Sequence, residues 1–136
     1  MNRLKQVAVQ LYTVRDEAQK DFLGTLEKVS ETGYCGVEFA GFFNTPAHRL
    51  KETLDRLQLQ SVVSHTPIEA LKDNLEEVLH YNQIIGTQYI VCPWDQCATM
   101  EEYRERAAFF NTVARKVNDA GMGFGYHNHA QEFELV

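Results

Sequence analysis

Gly33, Gly86 and Gly121 each stand between a stretch with helical apolar spacing and a short β-type run. This punctuation of strand, polar loop, helix, glycine and strand limits the fold more than any other feature of the chain. Glycine closes a helix readily because it enters the left-handed region without a steric penalty. Short strands joined by helices rather than by tight turns must run parallel, since a parallel neighbour needs a crossover. Such crossovers are right-handed. The chain is therefore of the α/β class.

Residues 7–11, VAVQL, form the first strand and run into Tyr12-Thr13-Val14-Arg15. Asp21 caps a helix that reaches about residue 32, with Phe22, Leu26 and Val29 on one face. Gly36–Phe39 is the second strand, ended by Gly41. Thr45-Pro46 opens the next helix, proline being favoured at an early helical position, and Leu50, Leu54 and Leu57 mark its buried face. Residues 60–64 are the third strand, with His65 at its end. The spacing predicts a helix over 74–85, with Leu71, Leu75, Val78, Leu79 and Ile85 as apolar positions. Tyr89–Cys92 is the fourth strand, ended by Pro93, and a long helix over 100–120 buries Ala107, Phe110, Val113, Ala114 and Val117. Residues 123–127 are the fifth strand. No Pro- or Ser-rich linker interrupts the series, so residues 1–136 read as a single domain.

Five such units suit two architectures: a doubly wound sheet of flavodoxin type, complete at this length, or a (β/α)8 barrel of which only the first five units are present. The loops discriminate. A nucleotide-binding doubly wound domain carries a glycine-rich loop after its first strand, but LYTVRDEAQKD has no glycine before Gly24. Instead Tyr12, Glu38, His65, Trp94 and His127 with His129 stand near the ends of all five strands. A barrel assembles its site from several strand ends, whereas a doubly wound sheet concentrates it at one switch point. The spread favours the barrel.

The totals exclude several classes. The formal net charge of −6 repels polyanions, and Lys and Arg are scattered among acids with no basic cluster, so nucleic acid is disfavoured as a partner. Cys35, Cys92 and Cys97 are an odd set in a chain of this length, which suits reduced thiols in a reducing compartment. No apolar stretch has the length of a membrane span and no signal peptide is read at the N-terminus, so a cytoplasmic location is expected.

His127-Asn128-His129 places two imidazoles two residues apart, on one side of an extended backbone, with Glu132 three residues on. Two imidazoles and a carboxylate ligate divalent metals or share a proton transfer. The same residues also read as a hydrogen-bonded turn with Glu132 opening a helix. His65 at its strand end suits a substrate contact or an acid–base role, or a buried hydrogen-bonded histidine. Glu38 follows an apolar strand, where a carboxylate needs a ligand or an ion-pair partner such as Arg15. Tyr12 and Trp94 offer stacking walls for a polyol, or plain packing. Cys92 lacks a basic partner in the sequence and is not read as a nucleophile; His48 and His80 lie within helices.

The segments VAVQLYTVRD, GYCGVEFAG, SVVSHTP and, most specifically, GYHNHAQEF resemble the sugar phosphate isomerase/epimerase family, the xylose-isomerase-like TIM barrels, over essentially the whole chain. The resemblance implies a (β/α)8 barrel present as its N-terminal five units and truncated at the C-terminus. It implies one divalent metal (Mn, Mg, Co or Zn) and a small sugar, sugar phosphate or keto-polyol substrate, isomerised or epimerised by proton transfer next to a carbonyl. Related barrels dehydrate inosose or cleave DNA at abasic sites. Carried onto this chain, Glu132 is the expected metal carboxylate. His65, His127 and His129 are expected at the chemistry, and Tyr12, Glu38 and Trp94 at the substrate. The remaining ligands come from strands six to eight in such barrels. A chain with two open parallel edges is expected to associate with a second copy. The alternatives are a non-catalytic partial barrel acting as an assembly partner, or a lyase or hydrolase on the same scaffold.

Overall fold

The computed structural model describes residues 7–134. The chain runs β1 (Ala8–Gln10), a 3-10 turn (Leu11–Val14), α1 (Arg15–Lys20), α2 (Phe22–Glu31), β2 (Gly36–Phe39), α3 (Ala47–Leu57) and β3 (Gln60–His65). It continues with α4 (Ile68–Asp73), α5 (Leu75–Ile85), β4 (Tyr89–Cys92), α6 (Met100–Asp119), β5 (Gly123–Tyr126) and a second 3-10 turn (Gln131–Phe133).

The expected strands and their order of appearance hold. Asp21 caps α2 as read, its side chain accepting from the Gly24 amide at 3.0 Å. Two helical segments differ from the sequence reading. The loop after β1 is largely helical, because Ala18 in α1 turns inward and is almost fully buried. The helix expected over 74–85 is preceded by a separate α4, with the break at Asn74, whose φ of −135° is not helical. Leu71 therefore belongs to α4, where it is buried. Gly86 and Gly121 take positive φ at their helix ends, but α3 ends without a glycine: Gln58 takes the left-handed position at φ 55°.

All five strands are parallel, in the order β1-β2-β3-β4-β5. A doubly wound sheet reverses its strand order at a switch point, and here there is no reversal. With every right-handed crossover stepping the same way, the helices fall on one face of a sheet that curves as a barrel wall. Two apolar clusters fill the space between strands and helices. Leu11, Val37 and Phe39 meet Leu26, Leu50 and Leu54 in one. Ile90 and Cys92 meet Leu71, Leu79, Val113 and Val117 in the other. Each fully buried side chain of this kind contributes about 1.5–3 kcal/mol. Because alternate strand residues are committed to these clusters, Gln10, Glu38, Val91 and Gly125 are left on the opposite, concave face.

Candidate functional site

The concave face carries its polar groups at the C-terminal ends of the strands. Gln10 and Glu38 are register partners in the β1–β2 ladder and so point the same way. Gln10 Nε2 donates to Glu38 Oε1 at 2.8 Å. His65 arrives from β3 with its Nε2 2.6 Å from the same oxygen.

A bulge puts His65 there. Val37 pairs with Ser61, but Glu38 pairs with Val63, so Val62 is an extra residue in β3. Ser61 faces the helices, where its hydroxyl contacts Thr87 at 2.8 Å. Strict alternation from Ser61 would turn residue 65 toward the helices too. The inserted residue inverts the alternation and turns His65 into the mouth.

His127 follows β5, its amide bonded to the Cys92 carbonyl at 3.0 Å. Gly125, two residues earlier on the same face, has no side chain to fill the space before it. The His127 ring lies edge-on to His65 at 5.4 Å between centroids, and His129 stacks on His127 at 4.8 Å. Ligand atoms of Glu38, His65 and His127 all lie within 4.8 Å of one another. Burial holds the His65 imidazole below its ordinary pKa, with His127 pushing the same way and Glu38 opposing.

Tyr12 and Trp94 stand at the rim, half exposed, and with Gln10, Pro93 and the three histidines they line a cavity of about 250 Å³. Arg15 lies over the Tyr12 ring at 4.5 Å and does not pair with Glu38.

Glu132, the carboxylate expected at the metal, lies outside the Glu38–His65–His127 group. It accepts from the Tyr126 hydroxyl and, at 2.7 Å, from the His129 amide. Tyr126 packs on Phe110 of α6, so Glu132 is drawn to the helix side of β5, away from the three-residue cluster. Desolvation raises the Glu132 carboxyl, but the hydrogen bonds from Tyr126 and the backbone, with the nearby His129, together hold it below the ordinary range, while burial and the adjacent carboxylate push the Tyr126 phenol well up. The carboxylate that joins the histidines is Glu38. Glu132 instead fixes the backbone that presents His129.

Two groups escaped the sequence reading. Gln10 had one signal, a polar residue inside an otherwise apolar strand. Asp95 had none: its Oδ2 lies 2.5 Å from Arg106 Nε, and its carbonyl accepts from Gln131 at 3.3 Å. It thereby ties the loop bearing Trp94 to α6 and to the loop bearing His129.

No protein-family model and no curated protein matches the sequence. Solved structures do. A sugar phosphate isomerase/epimerase from Parabacteroides distasonis superposes over 97% of this chain and 54% of its own, with a TM-score of 0.80 and 23% identity. The shared fold is part of a TIM barrel. A family 2 AP endonuclease from Brucella melitensis matches 88% of this chain and 53% of its own at a TM-score of 0.74 and 19% identity. A fusion of a xylose-isomerase-like TIM barrel with a 4-hydroxyphenylpyruvate dioxygenase follows at 0.63 and 13% identity. The chain thus spans about half the length of the first two, as five consecutive βα units of the barrel. Among the described residues no helix is long and apolar enough to cross a membrane.

Proposed function

We propose that this mouth is the proton-transfer site of a divalent-metal-dependent isomerase or epimerase acting on a sugar, sugar phosphate or keto-polyol. The observation that carries the reading is the convergence of Glu38, His65 and His127 from three different strands. One carboxylate and two imidazoles form a mixed O/N donor set that suits Mn, Fe, Co or Zn. The 2.6 Å approach of Glu38 Oε1 to His65 Nε2 already brings two of these donor atoms together, and because metal ligands must be deprotonated, binding would weaken as pH falls.

A bound divalent ion would polarise a carbonyl and ease loss of a proton from the neighbouring carbon. The chain's own residues do the rest. Glu38, His65 and His127 would hold the ion. His129, exposed and stacked on His127, is placed to take up and return the proton. Tyr12 and Trp94 supply flat apolar walls for the C–H face of a sugar. The AP endonuclease likeness supports hydrolysis of DNA as a second reading, but a net charge of −6 opposes a polyanionic substrate.

The solved relatives are nearly twice as long, so the metal is the part of this reading that the 136-residue chain tests directly. Calorimetric titration with Mn²⁺, Co²⁺ and Zn²⁺ is expected to show one ion per chain, lost in Glu38→Gln and His65→Ala. Absence of stoichiometric binding, or binding that survives both substitutions, would overturn it and favour a non-catalytic partial barrel.

A further inference from the structure

Glu38 is gripped twice on one oxygen. Gln10 Nε2 reaches Oε1 from β1 at 2.8 Å, and His65 Nε2 reaches the same atom from β3 at 2.6 Å. The β1–β2 register makes the first contact possible, because Gln10 and Glu38 are direct partners in a parallel ladder and share a face. The bulge in β3 makes the second possible. A side chain with two carboxylate oxygens and free rotation about its terminal bond is thereby fixed with Oε1 toward its strand neighbours.

We propose that Gln10 is a positioning residue of the metal centre, an uncharged donor that sets the Glu38 carboxylate before the ion arrives. The inference rests on the metal reading above. The residue type matters. Lysine or arginine at position 10 would also hold Glu38, but would place a positive charge beside an incoming cation. Glutamate would repel Glu38. Glutamine supplies the hydrogen bond and leaves the carboxylate charge available to the ion. With an ion bound, His65 Nε2 would face the ion rather than Glu38, and the Gln10 contact would be the restraint from the protein that remains. Gln10 also lines the same cavity as Tyr12, His65, Trp94 and His127, so the amide stands beside the space the ion and substrate would share.

Co²⁺ added to the 136-residue chain tests this through its visible absorption and its dissociation constant, with the urea midpoint measured on each variant. Gln10→Met keeps the length and removes the donor. Partners of metal ligands typically alter affinity 10- to 100-fold, and Gln10→Met is expected to weaken Co²⁺ by about that factor with a changed band intensity and an unmoved urea midpoint. Gln10→Lys is expected to weaken it further. If Gln10→Met fails to fold, Gln10→Asn, which withdraws the amide by one methylene, is measured instead and is expected to lose affinity in the same direction. Wild-type affinity and spectrum in the folded variant would overturn the inference while leaving the metal reading standing. Failure of the wild type to bind Co²⁺ would overturn both.

Discussion

The Asp95–Arg106 pair allows the most direct check on how the mouth is built. The side chains are 11% and 23% exposed, well short of a surface pair, and approach to 2.5 Å. Arg106 Nε nevertheless lacks an aligned hydrogen bond, so the contact is ionic rather than well directed. Removing one partner of a fully buried pair costs about 3–5 kcal/mol, and an exposed pair is worth about 0–1. Burial of this degree, discounted for the misaligned donor and the remaining solvent access, places Arg106→Met at about 2 kcal/mol, because Asp95 is left desolvated without its cation. With a urea slope of about 2 kcal/mol/M, the midpoint falls by about 1 M. Asp95→Asn should cost less, and the double variant should cost less than the sum of the two. Trp94 is the single tryptophan of the chain and adjoins Asp95, so its emission should shift in Arg106→Met before global unfolding. A midpoint within about 0.2 M of wild type, with unchanged emission, would refute the claim that this pair anchors the Trp94 loop.

Three further outcomes follow from the same structure. Burial pushes the Cys92 thiol up from an ordinary 9.0 to about 11; the unfolded thiol ionises first, so stability is intact below about pH 9 and declines by about 1.4 kcal/mol per pH unit toward 11. Native chain should accordingly leave Cys92 unalkylated near neutral pH until denaturant is added, as peptide mass mapping would show. Gly86→Ala puts a side chain into the left-handed position at the end of α5, where no atom crowds the added Cβ, and should cost about 1 kcal/mol in urea titration; an unmoved midpoint would contradict the cap assignment. Finally, β1 and β5 each have one neighbour in the described sheet, so the 136-residue chain by itself should self-associate in light scattering as concentration rises, and a monomer at all concentrations would count against open edges.

Much of the fold was legible in the sequence because its signals are local. Apolar spacing on α2 and α3, the Asp21 cap and the glycines after α5 and α6 are properties of a few adjacent residues, and they mark strands and helices without reference to the rest of the chain. The break at Asn74 and the helix over Arg15–Lys20 were less legible, since both depend on which residues find a core to enter. At the site, sequence alone singled out Glu38, His65, His127 and His129 as polar groups at strand ends. It paired the histidines with Glu132, the carboxylate nearest in the chain. Tertiary structure groups the side chains differently: Tyr126, turned toward α6 by strand alternation, draws Glu132 outward, while the β1–β2 register brings Gln10 to Glu38. Most decisive is Val62. One extra residue in β3 inverts the side-chain alternation and turns His65 into the mouth, and such a bulge exists only as a mismatch between two strands, so no stretch of a single strand's sequence contains it.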